Sequence, residues 1–196
     1  MYDYIKGILA ELTPTEVVLE TNNIGYKILI SLQTYSKLQP GANTKLYIYH
    51  HIREDIELFF GFYDKEERVI FCHLIEVSGI GPNTARTMLS SMTSEEIRNA
   101  IITGDINKLK SIKGIGLKTA QRLLIELKDK IIKGGVADIS GSFYEGGVPT
   151  QREEALSALV LLGFSKQNVE KVLDSILKEL PGCRLEDLIK LALKRL

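Results

Sequence analysis

Cysteine is scarce in this sequence of 196 residues, and long hydrophobic runs are absent. The two cysteines, Cys72 and Cys183, lie far apart and form no Cys-x-x-Cys pair, so the pattern supports neither a disulfide framework nor a zinc site. No apolar run approaches the roughly 18 residues of a membrane-spanning helix, and the first residues lack the basic and apolar regions of a signal peptide. We therefore expect a cytoplasmic protein with no membrane association, metal or cofactor.

A net charge is absent too, because 25 Lys and Arg residues balance 25 Asp and Glu residues. The charges are nevertheless unevenly distributed. Residues 106–133 contain eight basic and two acidic residues, whereas residues 1–62 contain five basic and seven acidic ones. One segment is thus suited to phosphates, while another mildly repels them.

The first 62 residues predict five short strands, because β-branched, leucine and aromatic residues recur there with partial alternation. Turn chemistry separates the strands at Asn22-Asn23 and at Gln39-Pro40-Gly41. Five strands of this length predict a small barrel that resembles the oligonucleotide/oligosaccharide-binding (OB) fold. The predicted strands are 4–12, 16–21, 25–30, 45–51 and 57–62.

Helical periodicity replaces alternation after Tyr63 and continues to about Lys133, which predicts an all-α domain over residues 63–133. Residues 134–149 are rich in glycine and lack periodicity, as is typical of a flexible linker. Residues 150–196 predict a three-helix bundle: Thr150 and Glu153 form a capping-box pattern, Gly163 ends the first helix and Ser165 can cap the second. The expected organisation is therefore multidomain, with α and β parts.

One internal repeat carries the functional prediction. VSGIGPNTARTML, residues 77–89, and IKGIGLKTAQRLL, residues 112–124, align without gaps and are identical at six positions. Each copy places a Gly-Ile-Gly turn between two helices, where the backbone can approach a phosphate and the next helix offers unpaired amides. Such contacts give affinity for DNA without base specificity. The candidate DNA-binding residues are Ser78, Gly79, Gly81, Asn83, Thr84, Gly114, Gly116, Lys118, Thr119 and Arg122.

Other functions fit the residues less well. A P-loop requires Gly-Lys-Thr in succession, whereas Leu117 interrupts that order here. A helix-hairpin-helix glycosylase or nuclease would need a nucleophile system or a carboxylate cluster near the turns, and Glu126 and Asp129 are better interpreted as a solvated helix face. A third hypothesis, a single-strand-binding scaffold, would use aromatic residues of the barrel as stacking platforms. Those residues are Tyr47, Tyr49, Phe59 and Phe60.

The order of barrel, tandem hairpins, glycine-rich linker and terminal bundle resembles the RuvA family of bacterial Holliday-junction-binding proteins. The segments GIGPNTA, GIGLKTAQRL and HIREDIELFFGF are its most specific features. The resemblance implies a homotetrameric plate whose hairpins grip the arms of a four-way junction, with Glu54 and Asp55 as a central acidic pin. It also implies two partners, the hexameric AAA+ motor RuvB and the junction resolvase RuvC. Such a protein would hold junctions open for ATP-driven branch migration in recombination and repair, without a catalytic site of its own.

The sequence departs from the commoner pattern of that family at Asn83 and Leu117, where basic residues are frequent. This weakens the case for DNA contact by the first hairpin, and Arg86 is a candidate to compensate, with a solvated surface arginine as the alternative. The terminal bundle is similar to ubiquitin-associated domains and to the family's motor-docking domain. Ordinary core packing is the alternative for the candidate partner-binding residues, which are Leu156, Leu159, Leu162, Gly163 and Phe164.

Overall fold

A computed structural model describes residues 2–133 and 150–196. The chain divides into two compact units, Met1–Val136 and Ala137–Leu196. The linker predicted over residues 134–149 lies outside the described residues, and the predicted domain limits remain predictions. Within the described ranges, no helix is long and apolar enough to cross a membrane.

The strands of the first unit are β1 (Tyr4–Leu12), β2 (Glu16–Thr21), β3 (Ile24–Ile30), β4 (Asn43–Ile52) and β5 (Glu57–Phe62). Its helices are α1 (Leu32–Tyr35), α2 (Lys65–Glu76), α3 (Pro82–Ser91), α4 (Ser94–Thr103), α5 (Ile106–Lys110) and α6 (Leu117–Lys133). The second unit contains α7 (Gln151–Leu161), α8 (Lys166–Glu179) and α9 (Leu185–Leu193). The predicted barrel and helical bundle are thereby confirmed.

The five strands form a closed barrel in the order β1-β2-β3-β5-β4. All neighbours are antiparallel except β3 and β5, which pair in parallel from Ile28 with Phe59 to Ile30 with Gly61. Gly61 is needed at this closure, because a Cβ there would lie 2.5 Å from the Ile28 side chain. Asn22 and Asn23 adopt positive φ angles of 49° and 64° in the β2–β3 turn, as their chemistry predicts.

Helix α1 was not predicted from the sequence. Ser31 caps its N-terminus, and the Ser31 and Thr34 hydroxyls both donate to the carboxylate of Glu67, which lies on α2. Glu67 is fully buried, and this burial raises the pKa of its carboxyl group above the ordinary value. The carboxylate thus ties the barrel connection to the first helix of the hairpin region.

The barrel and the hairpin helices share one apolar core within the first unit. Phe60 and Phe62 from β5 belong to the same buried cluster as Phe71 and Leu74 from α2. Phe60 is therefore unavailable as a stacking platform, and Tyr49 and Phe59 are half-buried against the cores. This arrangement removes most of the aromatic surface that the single-strand hypothesis required.

The second unit buries one face of each of its three helices, with Leu159, Leu173 and Leu188 in the centre. The predicted capping box is present, with reciprocal bonds between Thr150 and Glu153. Gly163 follows α7 with a φ of 99°, as the helix-ending prediction requires. Ser165 does occupy the N-cap of α8, but its side chain makes no capping hydrogen bond.

Candidate nucleic-acid interface

The sequence repeat is a repeat of backbone geometry. The Ile80 amide donates to the Val77 carbonyl at 3.0 Å, and at the equivalent place the Ile115 amide donates to the Ile112 carbonyl at 3.1 Å. All four side chains are buried in the shared core. The two turns are therefore anchored in the same way, with their apolar residues inward and their glycines outward.

The four glycines of the turns serve two different purposes. Gly79 and Gly114 adopt φ angles of +95° and +92°, which L-residues with a side chain rarely adopt. Gly81 has an ordinary φ of −88°, and a Cβ built at Gly81 or Gly116 meets no atom within 4 Å. Chain geometry therefore requires only the first glycine of each turn. The second leaves open space, where a phosphate can approach the backbone.

The predicted polar residues lie around these turns. Ser78, Asn83 and Lys118 are exposed, and Thr84 and Thr119 are half-buried. The first turn of each following helix has backbone amides without a partner inside the helix. The first residue of α3 is Pro82, which has no N–H, whereas the first residue of α6 is Leu117, which has one. The second hairpin consequently offers one more backbone donor than the first.

The two hairpins also contact each other. Arg122 on α6 reaches across to the first turn, where its guanidinium donates to the Ser78 hydroxyl at 3.2 Å and to the Ser78 carbonyl at 3.4 Å. A Cβ at Gly114 would lie 4.0 Å from the Thr84 methyl group. The predicted DNA-binding residues of both copies thus form one continuous surface, which we call the hairpin surface.

Unpaired positive charge is concentrated near the second hairpin. Lys130 pairs with Glu76 at 2.6 Å and Lys108 lies 3.6 Å from Glu96, so these cations are partly neutralised. Within the described ranges, four further lysines near this hairpin have no carboxylate partner; they are Lys110, Lys113, Lys118 and Lys128. These four exposed side chains can neutralise phosphates.

Arg86, the candidate to compensate for Asn83, contacts the barrel. Its guanidinium is half-buried and donates to the Thr15 carbonyl of the barrel at 3.0 Å. Burial lowers the pKa of Arg86 below its ordinary value. Arg86 therefore joins α3 to the β1–β2 turn, a contact that neither of the two roles considered from the sequence includes.

The predicted acidic pin lies at the tip of the hairpin between β4 and β5. Glu54 and Asp55 are both exposed there, and the Arg53 amide closes the turn by donating to the Ile56 carbonyl at 2.8 Å. Nearer the strands, His50 Nε2 lies 2.8 Å from the Glu57 carboxylate. The pin carboxylates thus project into solvent from a well-formed hairpin.

The structure also bears on the enzyme alternative. In residues 2–133 and 150–196, no group of His, Cys, Asp and Glu side chains is arranged to hold a metal ion. Glu126 and Asp129 are exposed on α6, away from the buried core. Their positions fit the solvated helix face that the sequence indicated.

The candidate partner-binding residues of the second unit divide by exposure. Leu162 is 62% exposed, whereas Leu156 and Phe164 are half-buried against the bundle core. Leu159 is fully buried, so a partner docking on the folded bundle does not reach it, and its assignment is corrected to core packing. The sequence analysis missed Leu161, which is 73% exposed. It could have been found because this apolar residue lies outside the helical spacing that marks the core-facing side of α7.

This architecture defines a class of proteins that combine an OB-type barrel with tandem helix-hairpin-helix elements. Family models agree with each part: "RuvA N terminal domain" matches residues 1–61, "SAM-like Helix-hairpin-helix tandem" matches residues 71–129, and "RuvA, C-terminal domain" matches residues 150–196. The chain belongs to the RuvA family.

Relatives support the assignment over complete chains. The Holliday junction branch migration complex subunit RuvA of Bacteroides thetaiotaomicron is 50% identical to this chain over 202 aligned positions, which cover 100% of both chains. The proteins of the same name from Flavobacterium psychrophilum and Christiangramia forsetii are 47% and 44% identical, again with complete coverage of both chains.

Proposed function

We propose that this chain binds four-way (Holliday) DNA junctions without regard to sequence and presents them to an ATP-driven hexameric motor for branch migration. The observation that carries the proposal is the hairpin surface, with two open glycine turns in one compact unit. Related chains of the same family, aligned over their full length, are named as subunits of the Holliday junction branch migration complex. Recombination and DNA repair are the processes in which such an activity serves.

The hairpin surface binds the sugar-phosphate backbone in this proposal. Backbone amides at the starts of α3 and α6 bind phosphates that approach over Gly81 and Gly116, and Lys118 adds charge. Ser78, Asn83, Thr84 and Thr119 supply further donors. Because phosphates look alike along any duplex, these contacts position the protein without selecting a sequence.

A homotetramer matches the geometry of the ligand. One chain carries a pair of hairpins, enough for one arm, while a four-way junction presents four arms about an approximate fourfold axis. In a closed ring, Glu54 and Asp55 of every copy face the crossover, where their charge repels phosphates. This repulsion favours an open junction over a stacked one.

The terminal bundle recruits the motor, which we identify with RuvB, and the resolvase RuvC belongs to the same assembly. Leu161, Leu162, Gly163 and Phe164 offer an apolar corner at the end of α7, and Leu156 supports it. Tethering a docking module to the DNA-bound part raises the local concentration of the motor at the junction. The chain itself performs no covalent chemistry, the motor supplies the energy, and the complex works in the cytoplasm.

The deciding experiment compares the affinity of the full chain for a four-way junction, a linear duplex and a single strand at one salt concentration. We expect the junction to bind most tightly, with equal affinities for junctions of different arm sequence. Tighter binding of linear duplex, or a strong dependence on arm sequence, would overturn the proposal. A chain lacking residues 150–196 should retain junction binding and lose the motor.

A further inference from the structure

A second basic surface lies on the barrel, apart from the hairpin turns. It surrounds a cavity of about 510 Å³ between the α1–β4 connection, strand β4 and Tyr63. A cavity of this volume falls within the range of small-ligand sites. Its walls include Lys37, Lys45, Tyr47 and Tyr63, and none of these residues belongs to the hairpin surface.

Cations and aromatic rings alternate around the cavity. The Lys45 ammonium lies 4.0 Å from the ring centroid of Tyr4 and 4.8 Å from that of Tyr47, and Lys37 lies 5.5 Å from that of Tyr63. Lys37 is already paired with Asp64 at 2.7 Å. Lys45, in contrast, has no carboxylate partner among the residues that the structure describes, so its charge remains available to an anion.

Strand pairing explains why these groups share a face. Tyr4 is directly opposite Tyr47, and Lys6 is directly opposite Lys45, in the antiparallel pairing of β1 with β4. Residues two apart on a strand point to the same side, so the four side chains form an outward-facing platform of two tyrosines and two lysines. Tyr63 is 45% exposed and adds a third ring beside the cavity.

A cation beside planar aromatic faces suits a ligand that carries both a phosphate and a ring. We propose that this cavity binds a nucleotide unit of single-stranded DNA, with the phosphate on Lys45 and the base against the ring of Tyr63. Tyr47 is not the stacking surface, because Lys45, Lys65 and Arg68 lie 4.8, 5.7 and 5.3 Å from its ring centroid. Gln39 and Asn43 are exposed, line the same cavity and offer polar groups to the base edge. Base stacking of this kind tolerates any sequence, because every base has a π face.

The site would act on strands that are not paired, and so goes beyond the duplex contacts of the hairpins. This role rests on the function proposed above: in branch migration, base pairs open and re-form at the crossover, so short unpaired stretches arise next to the protein. The barrel platform would hold such a stretch while the hairpins hold the arms. Its loss would leave junction binding through the hairpins in place.

The test uses the full chain with Tyr63→Trp, since the sequence has no tryptophan and the reporter is therefore unambiguous. An oligothymidylate of about six nucleotides, within the site size of one OB fold, should quench the emission. Inorganic phosphate and free thymidine should not. A reporter at Ile24→Trp, on an exposed position of the barrel outside the cavity, should show no quenching.

Lys45→Gln in the Tyr63→Trp chain should weaken the oligothymidylate response about fivefold or more, consistent with loss of one stacking or phosphate contact. Lys27→Gln removes the same charge from an exposed position of β3, outside both the cavity and the platform, and should have no effect. Equal effects of the two substitutions, or no quenching at all, would overturn the proposal. If thymidine monophosphate quenches the emission at a lower concentration than the oligomer does, the site binds free nucleotides instead. If only polyglutamate quenches the emission, the site binds an acidic protein segment instead.

Discussion

The guanidinium of Arg122 donates to the hydroxyl and the carbonyl oxygen of Ser78, at 3.2 and 3.4 Å. This pair joins the two helix-hairpin-helix copies, because Arg122 lies in the second and Ser78 in the first turn. Arg122 is exposed as well, so it can contact a phosphate while it holds the turns at a fixed distance. We therefore expect Arg122 to contribute both charge and positioning to DNA binding.

Substitutions of Ser78 and Arg122 should be coupled. Arg122→Ala and Ser78→Ala each lower junction affinity, and the double variant should lose less than the sum, with a coupling free energy of at least about 0.5 kcal/mol. Arg122→Lys should keep the salt slope but lose affinity, since lysine lacks the forked donor geometry. Fluorescence anisotropy over a salt series measures both quantities. Lys118→Ala serves as the uncoupled control and should flatten the slope by about one. Strict additivity of Ser78 and Arg122 would contradict the joint role.

The glycines of each turn should separate stability from binding. Gly79→Ala and Gly114→Ala place a side chain at positive φ and should lower the free energy of unfolding by about 1–2 kcal/mol. Gly81→Ala and Gly116→Ala should change it by less than about 0.5 kcal/mol, because the added methyl meets open space. The same two substitutions should weaken junction binding by about tenfold, since the methyl group blocks a charge-assisted amide contact to the phosphate. Urea unfolding and anisotropy on the four variants provide the comparison. Unchanged affinity of Gly81→Ala and Gly116→Ala would exclude phosphate approach over these positions.

The acidic pin should set specificity at the expense of affinity. Replacing Glu54 with Gln and Asp55 with Asn should tighten junction binding and reduce the ratio of junction to duplex affinity, because repulsion at the crossover disappears. The matched control is Glu11→Gln with Glu20→Gln, which removes two exposed carboxylates elsewhere on the barrel. Both ratios are measured at one salt concentration. If the pin variant and the control change equally, the effect is one of overall charge.

Glu67 should make stability depend on pH. Its pKa is raised in the folded state, so the folded protein binds a proton more tightly than the unfolded chain does. Stability should therefore be greatest below the ordinary carboxyl pKa of about 4.3 and decline as pH rises through the raised folded pKa. Glu67→Gln, a neutral side chain of the same shape, should abolish this decline and be more stable than Glu67→Ala at every pH. Urea unfolding from pH 4 to pH 8 gives the free energy of unfolding of the parent chain and of Glu67→Gln. The difference between the two at each pH isolates the contribution of Glu67. A flat difference curve would contradict the prediction.

The apolar corner of the terminal bundle should dock the motor. Leu161→Ser and Leu162→Ser remove exposed side chains, so the bundle should stay folded while affinity for the purified motor falls. Leu180→Ser, which is 50% exposed at the end of α8, is the matched control and should retain the motor. Leu159→Ala, in contrast, should destabilise the bundle by about 2–5 kcal/mol, because the side chain is fully buried. Calorimetric titration and thermal unfolding distinguish these outcomes.

Local patterns in the sequence predicted the elements whose causes are local. Strand β5 and the turn at Asn22-Asn23 follow from residue type and spacing alone. Helix α1 could not be predicted, because its cap and its buried threonine depend on Glu67, more than 30 residues later in the chain. The contact of Arg86 with Thr15 could not be predicted for the same reason, since only the fold brings the two residues together.

The candidate site shows the same limit. The glycine repeat predicted where the hairpins lie and which residues surround them. The bond between Arg122 and Ser78 crosses 44 positions of sequence and leaves no pattern that periodicity detects. The exposure of Leu161 likewise depends on how α7 faces its neighbours, which the weakly amphipathic sequence of that helix does not determine.

The parallel pairing of β3 with β5 leaves the barrel without an open strand edge. An open edge would present a row of free amides and carbonyls to a neighbouring copy, and several barrels crowded at one crossover would then be prone to extend into a shared sheet. Closure prevents that polymerisation. Barrels of neighbouring copies therefore cannot join edge to edge, and any contact that a barrel makes with another copy has to use its side chains and loops.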